Sequence, residues 1–234
     1  MPEENRFNKV VLKYYLDEPT EMTILPDGKI IFIERKGNVK LYNPENDSLA
    51  LINTFNVWSK SEDGMIGLTR DPDFANNHWL YVFYSHPEKS VNRLSRFEFK
   101  NGQIDMASEK PMLDVPVQRQ TCCHTGGSLT FGPTGDLYIS TGDNTNPFES
   151  DGYSPSDDRP GRAPFDARGS SANTNDLRGK ILRIHPQPDG TYTIPDGNLF
   201  AKDEPLTKPE IYTMGLRNPY RISVDQKQIG RAHV

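Results

Sequence analysis

Short runs of Ile, Val, Phe, Tyr and Leu recur along the chain between clusters of Pro, Gly, Asn and Asp, and no segment of useful length carries apolar residues at helical spacing. The pattern predicts an all-β protein. Its first unit is Glu21-Met-Thr-Ile-Leu25, a Pro26-Asp27-Gly28 turn, Lys29-Ile-Ile-Phe-Ile-Glu34, a Gly37-Asn38 turn and Val39-Lys-Leu-Tyr42. The turn residues supply the positive φ that tight hairpins require.

The same phrase returns. A looser copy runs through Met65-Ile-Gly-Leu-Thr69, an Asp71-Pro72-Asp73-Phe74 turn, Trp79–Tyr84 and Asn92–Phe99. A third runs through Ser128–Phe131, Gly132-Pro-Thr-Gly135, Asp136–Thr141 and, after a long insertion, Gly179–Ile184. A fourth begins at Asn218-Pro-Tyr-Arg-Ile-Ser-Val-Asp225. Repeats of about 40 to 50 residues, each a small antiparallel sheet, are the sequence mark of a β-propeller, with a sandwich as the rival architecture. Three blades and the start of a fourth do not close a ring, so either the chain is a fragment or the repeats pair across copies. Residues 1–227 read as this partial propeller. Gln228–Val234 interrupt the next turn and read as a foreign tail. The polar stretch from Asn144 to Asp176 is too long for a mere connection and fits a functional or a disordered loop.

Composition narrows the picture little further. A length of 234 residues suits one large domain or two small ones, the hydrophobic fraction of 34% is low, and no apolar run reaches the roughly 18 residues that span a bilayer. The net charge of −5 comes from interspersed charges without a basic stripe, which argues against a nucleic-acid partner. The opening residues lack the pattern of a secretory signal. The two cysteines, Cys122 and Cys123, are neighbours and cannot staple distant segments. They fit a disulfide beside a site or two small buried side chains.

Three places could carry chemistry. His124 is followed by Gly126 and Gly127 at the start of a strand, where backbone or ligand can approach closely, although on its own a histidine hydrogen-bonded at a strand end is the commoner reason for such a residue. Gly215-Leu-Arg217-Asn218-Pro219 sets a fork of guanidinium donors beside an amide, suited to a planar polyanion, although surface arginines usually serve no such end. Glu62 and Asp63 precede Gly64 at another strand start, where solvated turn carboxylates are also common. Phosphate-loop, HExxH, GxSxG and spaced Cys/His motifs do not occur in the sequence.

Taken together and in this order, these places resemble the soluble pyrroloquinoline-quinone glucose dehydrogenases and their glucose/sorbosone dehydrogenase relatives. The likeness rests on Asp63-Gly-Met-Ile-Gly-Leu68 with Asp71-Pro-Asp-Phe74, His124-Thr-Gly-Gly-Ser-Leu-Thr-Phe-Gly-Pro133 with Asp136–Asp143, Leu177–Ile184, Tyr192–Asn198 and Gly215–Pro219. It extends from about Glu21 to Asp225. It implies a six-bladed propeller, with a quinone in the central funnel and calcium holding that quinone through ligands beyond the end of this chain. His124 would be the general base that takes the substrate hydroxyl proton, a task suited to an imidazole. Arg217 would stabilise charge on the reduced quinone, Asn218 would orient the ring, and Glu62 stands where the glucose enzymes have a glutamine touching quinone or substrate. Cys123 stands where those enzymes carry an aspartate that orients the histidine, so that carboxylate is missing from its expected place. The family further implies a sugar-type substrate, an electron acceptor such as a cytochrome, and a periplasmic or secreted location.

Three functions therefore compete. The first is a quinone-dependent sugar dehydrogenase, expected to be inactive as a fragment. The others are a non-catalytic carbohydrate-binding propeller and a calcium-dependent lactone-hydrolysing propeller, for whose metal this sequence offers no convincing ligand set.

Overall fold

A computed structural model describes Arg6, residues 8–148 and residues 150–225. Its strands form three antiparallel sheets, each built from strands consecutive in sequence. The first sheet contains β1 (Pro19–Ile24), β2 (Ile30–Glu34), β3 (Asn38–Asn43) and β4 (Ser48–Thr54). The second contains β5 (Met65–Arg70), β6 (Trp79–Ser85), β7 (Val91–Lys100) and β8 (Gln103–Pro116), with a single helical turn α1 (Phe74–Asn77) between β5 and β6. The third contains β9 (Gly126–Phe131), β10 (Leu137–Thr141) and β11 (Lys180–Pro186), whose outer side pairs with β12 (Tyr192–Thr193) and β13 (Ile211–Met214).

No sheet borrows a strand from another, which removes both cross-copy pairing and the sandwich, and the first strands of the sheets are neighbours, β1 beside β5 and β5 beside β9. This is the arrangement of propeller blades. Where the fourth copy was expected to begin, Asn218–Asp225 holds no strand and only one bridging residue, Val224. Its polar groups are used elsewhere, because Asn218 Oδ1 accepts the Gly126 N–H at 3.0 Å and the Ile222 N–H reaches Ser128 Oγ at 3.3 Å. The suggested tail, 228–234, lies outside the described residues.

The core explains why β6 reads as an unbroken apolar run. Strand side chains alternate between faces, and β6 lies between two other blades. Leu80, Val82 and Tyr84 pack with Ile31, Ile33 and Val39 of the first sheet, while Tyr81 and Phe83 pack with Leu129, Leu137 and Ile139 of the third. Each such fully buried side chain contributes about 1.5–3 kcal/mol. Both faces of β6 are therefore apolar, whereas Met22 and Ile24 of β1 remain more than half exposed, at 58% and 54%.

Candidate functional site

The site forms where β9 begins and β10 ends. These strands pair with Gly126 opposite Thr141, so the residues just outside the ladder, His124 and Asp143, meet at the same edge. His124 Nδ1 lies 2.7 Å from Asp143 Oδ1, and both side chains are buried. The same oxygen accepts the Thr145 N–H at 2.9 Å and Thr145 Oγ1–H at 2.8 Å. A carboxylate oxygen can only accept, so the imidazole donates from Nδ1, and in the neutral ring this leaves the lone pair on Nε2. Among the described residues Nε2 has no hydrogen-bond partner.

The backbone at His124 is held in a form that L-residues rarely adopt, with φ of 57°, at a cost of roughly 1–2 kcal/mol. Three contacts hold it there. Glu62 Oε2 accepts the His124 N–H at 2.7 Å and the Thr125 N–H at 3.4 Å, and the Asn144 N–H donates to the His124 carbonyl at 3.3 Å. Gly142 completes the fit, since a Cβ there would collide with the His124 carbonyl oxygen. Immediately upstream, Cys122 and Cys123 form a disulfide across a cis peptide bond, which answers the question the sequence left open.

The structure brings the other predicted residues to the same edge. Arg217 O accepts the Asp143 N–H at 2.8 Å, and Asn218 Oδ1 accepts the Gly126 N–H, so the Arg217-Asn218 turn is tied to both strands that carry His124 and Asp143. The Arg217 guanidinium is exposed and, among the described residues, has no ion-pair or hydrogen-bond partner, nor does the amide nitrogen of Asn218. Asp63 hydrogen-bonds Ser85 Oγ at 3.0 Å, and burial raises its pKa above the usual aspartate value. The carboxylate missing at position 123 is thus supplied by Asp143. In the sequence Asp143 is only the end of the Asp136–Asp143 run; the hairpin register, which sets residues 124 and 143 two positions beyond paired ends, is what brings it to His124.

These donors fit a planar anionic quinone: an unused guanidinium and amide lie beside a buried base. Among the described residues no group of three or more His, Cys, Asp or Glu side chains is placed to hold a metal ion. No described helix is long and apolar enough to cross a membrane.

Known proteins resemble the chain along most of its length. The chain is 25% identical to the aldose sugar dehydrogenase YliI of Escherichia coli over 93% of its own length and 53% of the relative's, and 25% identical to the Hedgehog-interacting protein of Mus musculus over 90% and 31%. The PQQ-bound aldose sugar dehydrogenase of Streptomyces coelicolor superposes with a TM-score of 0.69 at 23% identity, over 93% of this chain and 56% of that one. The chain therefore spans about half the length of the dehydrogenases it matches. The sequence profile of the glucose/sorbosone dehydrogenases fits residues 16–230, a range that holds every blade and every residue of the His124 edge, and the chain belongs to that family.

Proposed function

We propose that this chain carries the proton-accepting half of an oxidoreductase that oxidises a hydroxyl of an aldose or related sugar, with pyrroloquinoline quinone as electron acceptor. The observation that carries the reading is the buried His124–Asp143 pair, with its Nε2 lone pair free, beside the unpartnered donors of Arg217 and Asn218. Bound quinone would supply the two-electron sink for the hydride leaving the substrate carbon. His124 Nε2 takes the hydroxyl proton as that hydride departs, and the carbon–oxygen bond becomes a carbonyl. Asp143 keeps the Nδ1 proton in place and stabilises the imidazolium that results. Arg217 and Asn218 would hold the quinone, the guanidinium offsetting its developing negative charge. Glu62 positions the base through the His124 and Thr125 N–H groups, and its acceptor oxygen Oε2 is committed to that task. Electrons would leave to a cytochrome or similar acceptor outside the cytoplasmic membrane. Calcium, if used, would be bound by residues other than those described.

The experiment is dye reduction by the full-length protein loaded with quinone, across a panel of aldoses. His124→Ala should lower turnover at least about a hundredfold, the range of a lost general base. Unchanged turnover in His124→Ala refutes the proton-acceptor role, and failure of the wild-type protein to bind quinone refutes the dehydrogenase reading. The match to a protein named for Hedgehog interaction favours the second reading, a propeller that binds without oxidising; sugar affinity without quinone affinity would select it.

A further inference from the structure

His124 lies in the connection between β8 and β9, residues 117–125, which has no secondary structure. Hydrogen bonds hold this connection on either side of the cysteine pair. Upstream, the Gln118 side chain accepts the Gln120 N–H at 2.8 Å and the Thr121 N–H at 3.0 Å, and its Nε2 donates to the carbonyls of Thr121 at 3.2 Å and Asn144 at 3.0 Å. Downstream, the His124 and Thr125 N–H groups donate to Glu62, and the His124 carbonyl accepts the Asn144 N–H. Asn144 thus ties the two anchors together.

Between these anchors stand Cys122 and Cys123. Among the described residues neither N–H group has a hydrogen-bond partner, and the one hydrogen bond to the pair is local, from Thr121 Oγ1 to the Cys122 carbonyl at 3.1 Å. What orders the pair is their disulfide, which closes a small ring through the backbone of both residues and leaves it little freedom. That ring is joined directly to the backbone of the base. Cys123 is buried, at 7% exposure, while Cys122 is half-buried, so a reductant reaches the bond from the Cys122 side.

A disulfide is a restraint that a reductant removes without cutting the chain. A dithiol supplies the two electrons: one of its thiolates attacks Cys122 Sγ, the S–S bond breaks, and Cys123 leaves as a thiolate that takes up a proton. The second thiol of the reductant then displaces Cys122 in the same way, leaving two free cysteines and an oxidised, cyclic reductant. The opened pair has lost the ring that ordered it, and the residue that follows stands at φ of 57°, a form that L-residues leave when little compels it. What still holds His124 is a set of single hydrogen bonds of modest net worth, from Glu62, Asn144 and Asp143. We infer that the Cys122–Cys123 disulfide is a redox switch on the base. Oxidised, it keeps His124 in the geometry that commits Nδ1 to Asp143; reduced by a dithiol, it releases that geometry, and turnover falls while sugar binding is retained. This inference rests on the proposed role of His124 as proton acceptor.

The test uses the full-length protein, reduced with dithiothreitol and then freed of it, with the new thiols counted by maleimide mass shift. In the quinone-free protein the NMR signal of the His124 imidazole should move on reduction and return when the disulfide is re-formed. In the quinone-loaded protein kcat should fall about tenfold on reduction, with KM for the sugar within about twofold, and recover on reoxidation. The double substitution Cys122→Ser and Cys123→Ser should match the reduced wild type and ignore dithiothreitol; reduction of the wild-type chain carries the test alone where that variant does not fold. Two counted thiols with kcat unchanged refute the switch, and so does a disulfide that dithiothreitol leaves intact. A fall in kcat that comes with faster amide exchange throughout β9 and β10 makes the disulfide a brace for the sheet and refutes the switch as well. If the wild-type protein oxidises no sugar, the His124 signal decides: a reversible shift keeps the switch while the dehydrogenase reading falls, and an unmoved signal refutes both.

Discussion

The second and third sheets follow one plan and part company at one connection. β6 passes to β7 through residues 86–90, whereas β10 passes to β11 through residues 142–179. The short connection is a hairpin whose flanking strands are held by apolar burial on both faces, with Tyr81, Phe83 and Leu94 fully enclosed. The long one is held mainly by polar and charged groups taken out of water: Lys180 on three carbonyls, Asp157 on two arginines, Asp143 on Thr145 and His124. Apolar burial is non-directional and tolerates small shifts, whereas a buried hydrogen-bonded charge fixes positions to a few tenths of an ångström. The region that carries the proposed base is the one built from directional contacts.

The largest effect that would break this contrast belongs to the apolar side. Phe83→Ala removes a ring that fills the space between the second and third sheets, and should cost about 3–5 kcal/mol in denaturant unfolding. A cost below about 1 kcal/mol would mean that the two blades are not held by that contact.

On the polar side, Asp143→Asn keeps the size of the side chain and removes the charge that the proposed mechanism uses to stabilise imidazolium. Turnover should fall about a hundredfold, near 2.7 kcal/mol, with little change in sugar KM, because the group supports proton transfer rather than binding. A rise in KM with turnover unchanged would assign Asp143 to substrate binding instead.

How much of this was legible follows the same divide. The inner strands were readable because Pro26-Asp27-Gly28 and Gly132-Pro-Thr-Gly135 punctuate runs such as Ile30–Glu34 and Leu137–Thr141, so turn chemistry and alternation agree. β8 was not, because Gln103–Pro116 lies at the outside of its sheet, with most side chains wholly or partly exposed, and its polar sequence carries no period. β13 has only four residues and pairs with β11 across a bulge. At the site, His124, Arg217, Asn218 and Glu62 could be picked out one by one, but their joint placement depends on strand register and on backbone contacts such as Asp143 N–H to Arg217 O. Lys180 gave no signal at all, since a lysine at the start of a strand ordinarily points to water.

Lys180→Met therefore sharpens the comparison at its least visible point. The methionine fills similar space but leaves the carbonyl of Arg178 without its donor, while Ser170 O still accepts the Asn173 N–H and Ser171 O the Gly215 N–H, each at 3.0 Å. The expected cost is about 1–3 kcal/mol, concentrated in faster amide exchange across 150–178 with the sheets unaffected. Exchange that quickens equally in β6 would show that the insertion and the sheets are one cooperative unit.

The smallest effect is one of pH, and two opposing forces set its sign. The three carbonyls favour the ammonium form of Lys180, while burial disfavours it; burial prevails and lowers the pKa from 10.5 to about 8. Below about pH 8 the lysine is charged in both the folded and the unfolded chain, and the desolvation cost is fully present. Between about 8 and 10.5 the folded chain releases the proton while the unfolded chain keeps it, so this residue's contribution to stability rises with pH. The wild-type denaturation midpoint should accordingly gain on that of Lys180→Met between pH 7 and pH 10. A gap that stays constant over that range would mean that the carbonyl cage, not burial, governs the charge of Lys180.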